Sequence, residues 1–183
     1  MQLIALNGLY MIKLVLFALL FISQLSLADE YTGQVINVVD GDTVTLLTND
    51  NQKLSIRLSG IDAPEMNQNW GLRSKQAMCS CADGLAATVE ANKKDKYGRL
   101  VGKVIVKGID CNLRQIQLGL AWHYKKYEKE QEVEERSTYA QEEYLAQSAG
   151  LGLWVDKQAI PPWEFRKMVK DQHIRIIKPK VSC

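Results

Sequence analysis

Between Tyr31 and Leu58 the chain reads as strand, turn, strand, turn, strand, and the first turn carries more charge than a plain hairpin needs. Tyr31 to Val39 alternates and is rich in β-branched residues. Thr43 to Leu47 resumes the pattern after Asp40-Gly41-Asp42, and Lys53 to Leu58 follows Asn49-Asp50-Asn51-Gln52. Period-two alternation broken by Asp, Asn and Gly marks antiparallel strands joined by tight turns. Such a meander begins a small barrel or a sandwich.

The chain beyond it supplies more of both layers. Pro64 lacks an amide proton and stops strand pairing; residues 67–70 read as loop. From Gly71 the spacing of Ala77, Met78, Cys81 and Leu85 predicts a helix with Cys81 inward and Cys79 off the stripe. Ala86 to Ala91 and Leu100 to Val106 are expected as fourth and fifth strands, joined by the polar connection from Lys93 to Arg99. Asn112 is read as the cap of a second helix, Leu113 to Leu120. A third helix is expected from Glu130 to Ser148, with Val133, Tyr139 or Ala140, Tyr144 and Leu145 as its sparse apolar side and its glutamates as a solvated face. Gly152-Leu153-Trp154 and Pro161-Pro162-Trp163 are read as an irregular aromatic closing segment. The expected fold is α+β, a five-stranded OB-type Greek-key β-barrel with about three packed α-helices.

Of 183 residues, 46% are hydrophobic and 24% charged, as for a single globular domain with a sizeable core. Residues 1–28 depart from that average: Lys13, an apolar run from Leu14 to Ile22, then Ser26-Leu27-Ala28. This order describes a secretory signal peptide cleaved after Ala28. A membrane anchor is the competing reading, but Ser23 and Gln24 break the run short of the about 20 apolar residues that span comfortably. The expectation is an exported protein, periplasmic or secreted, with no stable membrane association after cleavage. Residues 29–156 would form the domain and 157–183 a basic C-terminal extension. Cleavage removes one charged side chain, Lys13, and lowers the formal charge of +2 by one. Charge is unevenly placed, with Lys93, Lys94, Lys96, Arg99, Lys103 and Lys107 in one segment and Glu128, Glu130, Glu132, Glu134 and Glu135 in another. A local basic surface could attract a polyanion while the acidic run faces solvent elsewhere. All four cysteines lie in the mature chain, and export would let them form disulfides, in any of several pairings. The Cys79-Ser80-Cys81 spacing and scattered histidines argue against zinc.

Asp42, Asp62 and Glu65 are hard oxygen donors with no cysteine or histidine close by in sequence, so a metal held there would be calcium, magnesium or manganese. Asp40-Gly41-Asp42 alone is an ordinary turn. Arg57 changes the reading, because on a strand its side chain points opposite to Ile56 and Leu58, toward the less apolar side or rim of a barrel. A guanidinium binds phosphate through two parallel bonds and keeps its proton. A structural Arg–Asp ion pair is the plainer alternative.

Four segments in register, Val39-Asp40-Gly41-Asp42-Thr43, Ile56-Arg57-Leu58 to Ile61-Asp62-Ala63-Pro64-Glu65, Asp95-Lys96-Tyr97-Gly98-Arg99 and Gly119-Leu120-Ala121, resemble the staphylococcal nuclease family over roughly residues 31–154. The resemblance implies one calcium ion, held by the carboxylates of Asp42 and Asp62 and the backbone carbonyl of Ala63, where the prototype has threonine. It implies that Arg57 and Arg99 clamp the scissile phosphate, that Glu65 is the general base activating water, and that Lys96 and Tyr97 hold the adjacent phosphate. Tyr124 is the match for a substrate-side tyrosine, although the spacing after Ala121 differs. The substrates implied are DNA and RNA, single strands favoured, cut with little sequence preference to leave 3′-phosphates, by a monomer. Positions 81 and 111 correspond to apolar core neighbours in the family, which implies a Cys81–Cys111 disulfide and leaves Cys79 for Cys183. The rival from another class is a non-catalytic OB-fold nucleic-acid-binding module, which would lack members of the carboxylate and arginine set.

Overall fold

A computed structural model describes residues 29–171 and 181–183; the expected leader lies outside them. The meander is present as β1 (Asp29–Asp40), β2 (Thr43–Thr48) and β3 (Lys53–Leu58), followed by the short β4 (Ile61–Asp62). Helix α1 (Gly71–Ala82) separates these from β5 (Ala86–Lys94), β6 (Leu100–Val106) and β7 (Ile109–Asp110). Then come α2 (Cys111–Gln117), β8 (Trp122–His123), a 3-10 turn (Lys125–Glu130), α3 (Val133–Ser148), a second 3-10 turn (Gly152–Val155) and α4 (Pro162–Asp171).

Strands run in the order β3-β2-β1-β5-β6-β7, and β3 also pairs with β6 in parallel, so β1, β2, β3, β5 and β6 close a five-stranded barrel. Closure of a small sheet needs sharp bending. It occurs at register shifts in β1 on either side of Asn37 and Val38 and in β5 between Ala91 and Lys93. The core has the alternation expected of half-buried strands: Val35, Val44, Leu46, Ile56, Val89 and Val104 are fully buried, and Met78, Cys81, Cys111 and Ile116 bring α1 and α2 onto the barrel. Two disulfides join Cys81 to Cys111 and Cys79 to Cys183. No helix among the described residues is long and apolar enough to cross a membrane.

Several local readings are corrected. The α1 stripe is Ser74, Lys75, Met78, Cys81 and Ala82; Leu85 lies beyond the helix. Asp110, not Asn112, caps α2, its carboxylate accepting the Leu113 N–H at 3.0 Å. Asn112 is instead fully buried, accepting from Val104 N and donating to the carbonyls of Ser59 and Gly102, which ties α2 to β6. On α3, Val133, Tyr144 and Leu145 are exposed and the buried positions are Tyr139, Glu143 and Ala146. Glu143 is therefore no part of a solvated face: it accepts the His123 N–H at 2.9 Å and pairs with Lys125. The segment expected to be irregular after Pro161 is the helix α4, for which Pro162 at the first position is preorganised.

Candidate active site

The β1–β2 turn is held from behind. Gln115 of α2, almost fully buried, donates through Nε2 to Gly41 O at 2.6 Å and to Ser74 O at 2.9 Å. A side chain at position 41 would collide with Ser74 Oγ and Ala63 Cβ, so glycine is required there by close packing of the turn on α1. Asp40 closes the turn by accepting the Asp42 N–H at 3.2 Å. Burial, and next the charge of Asp42, push the Asp40 carboxyl up to about 7. Asp40 thus shapes the turn and Asp42 points inward, with Oδ2 accepting the Ala63 N–H at 2.7 Å and Oδ1 accepting the Thr43 hydroxyl at 3.2 Å.

Arg57 lies opposite Thr43 in the β2–β3 ladder, and this register sets it between the two aspartates. Its Nη1 is 2.9 Å from Asp42 Oδ2, and its Nη2 donates to Asp62 Oδ1 at 2.8 Å. Asp62 is fully buried, fixed by the β4–β8 pairing with Trp122. Burial raises its carboxyl, and hydrogen bonds from Arg166 together with the charge of Arg57 only partly offset that. Glu65 follows on the loop after Pro64, its side chain mostly covered.

Arg166 was not anticipated from the sequence. From α4 it donates through Nη2 to Asp62 Oδ2 at 2.8 Å, and through Nη1 to Asp62 Oδ1 at 3.2 Å and Glu65 Oε1 at 2.9 Å. Its neighbours are over a hundred positions away in sequence, so no local pattern could reveal it; a lone arginine on an amphipathic turn looks like surface.

Across the cleft, Asp95 organises the β5–β6 connection by accepting the N–H groups of Tyr97 and Arg99, and it holds the Arg99 guanidinium at 2.7 Å. Tyr97 is exposed, with Lys96 and Arg99 against its ring. Tyr124 N–H donates to Gly60 O at 2.8 Å, and its ring stacks on Trp163 with centroids 5.3 Å apart. Asp42, Arg57, Asp62, Ala63, Glu65, Lys96, Tyr97, Arg99 and Tyr124 all line one cleft of about 830 Å³, which Arg166 also lines. The acidic run does not all face elsewhere. Glu130, Glu132 and Glu135 line the same cleft, and Lys93–Glu130 and Lys103–Glu135 ion pairs cross it.

The donor set suits a hard divalent cation: buried carboxylates, no thiolate or imidazole among them, and a fully buried Asp62 whose burial opposes its charge unless a cation is near. Among the described residues no three acidic, cysteine or histidine groups converge as a metal cage, because Arg57 stands between Asp42 and Asp62 and Arg166 between Asp62 and Glu65.

Residues 55–156 match the profile of staphylococcal nuclease homologues. The chain belongs to the staphylococcal nuclease family. Similar proteins of the family include an uncharacterized endonuclease of Haemophilus influenzae, 33% identical over 142 residues, 78% of this chain and 76% of that one. An uncharacterized endonuclease of Escherichia coli O157:H7 is 35% identical over 136 residues, 73% of this chain and 84% of that one. A micrococcal nuclease of Shigella flexneri is 32% identical over 151 residues, covering 78% and 84%. The closed barrel with its packed helices is the OB-type fold of this family. The family profile stops before α4, so Arg166 is contributed from outside the matched segment.

Proposed function

We propose that this family member is an exported, calcium-dependent phosphodiesterase that hydrolyses DNA and RNA with little sequence specificity, favours single strands and leaves 3′-phosphate ends. The observation that carries this reading is the convergence of Asp42, Arg57, Asp62, Glu65 and Arg99 on one cleft. A binding module would not need that complete set, which weighs against the non-catalytic alternative.

Asp42, Asp62 and the Ala63 carbonyl would hold one calcium ion, which supplies positive charge beside the phosphate when bound. Phosphodiesters repel hydroxide because they are anionic, so the remaining work is neutralisation, orientation and proton removal. Arg57 and Arg99 bring two fixed positive charges to the phosphate oxygens, where charge grows as a fifth oxygen bonds to phosphorus; each such donor is typically worth about 3 kcal/mol. Asp42 and Asp62 hold the Arg57 guanidinium at the cleft. Glu65 takes the proton of the attacking water, a contribution of about 10²–10⁴ in rate, while the P–O5′ bond breaks and the 5′-oxygen leaves with a proton from solvent. Lys96 and Tyr97 would hold the neighbouring phosphate, and Tyr124, already stacked on Trp163, would offer its edge to a base or sugar. The protein would act as a monomer, with residues 1–28 as its export signal.

The deciding experiment digests single-stranded DNA with the mature protein in calcium and in a chelator. Cleavage in calcium and none in chelator is expected; absence of calcium-dependent cleavage at alkaline pH overturns the proposal.

A further inference from the structure

Both carboxylate oxygens of Asp62 and one of Glu65 are already occupied by guanidinium nitrogens. Arg57 and Arg166 share Asp62 Oδ1, Arg166 alone holds Asp62 Oδ2, and its Nη1 reaches Glu65 Oε1. A divalent cation seeking those oxygens must therefore displace an arginine. The two arginines are not equivalent. Arg57 stands on a central strand, its side chain only 16% exposed, and also lies within reach of the carbonyls of Asp42 and Leu58. Arg166 is 41% exposed, and every polar contact it makes among the described residues is to Asp62 or Glu65. Arg166 is the side chain that can leave.

It is also delivered with little entropy loss. Trp163, one turn earlier on α4, stacks on Tyr124 and meets Trp122 edge-on at 6.4 Å. Gln68 donates to the Ile160 carbonyl just before the helix, and Val169 is buried at its far end. A tethered guanidinium competes at high effective concentration, whereas a free cation does not.

We propose that Arg166 is an internal competitor for the divalent cation: it occupies the carboxylate oxygens of Asp62 and Glu65 while the cation is absent, yields them when it binds, and so sets the cation concentration at which the site fills. This rests on the calcium reading above. If the arginine-closed state is populated about nine parts in ten, the apparent dissociation constant is raised about tenfold over that of the open carboxylates.

The test is calcium binding by titration calorimetry on wild type, Arg166→Ala and Arg166→Gln, without nucleic acid, with thermal melts to establish that each is folded. Both variants are expected to bind calcium about tenfold or more tightly than wild type, with Arg166→Lys between them, since an ammonium keeps the charge but cannot fork. Equal affinity in wild type and both variants overturns the competitor role and leaves the calcium reading intact. Weaker binding of a single-stranded oligonucleotide by the variants at unchanged calcium affinity also overturns it, assigning Arg166 to phosphate instead. Absence of calcium binding in every protein overturns both readings.

Discussion

Arg57 Nη2 donates to Asp62 Oδ1 at 2.8 Å, and Asp62 has no exposure to solvent. With Asp42 at 2.9 Å on the other nitrogen, one guanidinium bridges two carboxylates inside the barrel rim. Removing one partner of a buried pair leaves an uncompensated charge and typically costs about 3–5 kcal/mol. Arg57→Ala is therefore expected to lower the melting temperature sharply without calcium and to regain part of the loss when calcium is added. Arg57→Lys keeps one charge but cannot reach both aspartates in parallel, and its turnover should fall about 10²–10³-fold. Melting curves with and without calcium check the first expectation; an Arg57→Ala protein as stable as wild type in chelator would remove the ion pairs from the account of stability.

Without a cation Glu65 is held by Arg166 through one oxygen, so a substitution that keeps that oxygen leaves this contact in place and tests proton transfer alone. Glu65→Gln retains an acceptor for Arg166 and loses the proton-accepting charge. Turnover on single-stranded DNA should drop at least about 100-fold, while binding of a nucleotide inhibitor changes little. Wild-type turnover in this variant would exclude Glu65 as the base.

The turn that carries Asp42 depends on a residue that touches no candidate ligand. Gln115 is buried against Gly41 and Ser74, and its amide donates to both carbonyls. Gln115→Leu fills similar volume but strands the buried Gly41 carbonyl, the Ser74 carbonyl keeping its bond within α1, at a cost of about 1–3 kcal/mol. The expected outcome is a lower melting temperature together with weaker calcium binding, because Asp42 is no longer fixed. A melting loss with unchanged calcium affinity would show that the turn keeps its shape without this support.

The barrel was legible because its signals are local: alternation in β1, β2, β3 and β6, with turn residues between them. The convergence of Asp42, Arg57, Asp62 and Glu65 was legible for a related reason, since they fall on consecutive elements that a meander brings together. What escaped reading was set by tertiary contact. Asn112 resembled a cap because polar residues before an apolar run usually are caps, yet it bridges β6 and the β3–β4 turn from inside α2. Glu143 resembled any helical glutamate, yet it serves a backbone N–H of β8. Pro161-Pro162 resembled a break, where Pro162 in fact begins the helix that delivers Arg166. On α3 Tyr139 is buried as expected, but Val133, Tyr144 and Leu145 are not, because the apolar residues of a helix rich in glutamate are too few to fix its phase.

Asp110 offers a pH test away from the cleft. Its carboxylate caps α2 through the Leu113 N–H and accepts the hydroxyl of the buried Tyr139 at 2.9 Å. Burial raises its carboxyl above the ordinary range, outweighing the lowering by the Leu113 N–H, the Tyr139 hydroxyl and Lys103. A carboxyl whose folded value lies above its unfolded one stabilises the fold fully below the unfolded value, about 4, and loses that contribution as pH rises through the folded value. Asparagine is uncharged at every pH and caps a helix about as well as aspartate. The stability of Asp110→Asn relative to wild type should therefore improve as pH rises above about 4, as wild type comes to carry a buried charge. Denaturant unfolding at several pH values measures the difference directly. A difference that stays flat across this range would mean that Asp110 ionises as readily in the folded chain as in the unfolded one, the hydrogen bonds from Leu113 and Tyr139 fully compensating its burial.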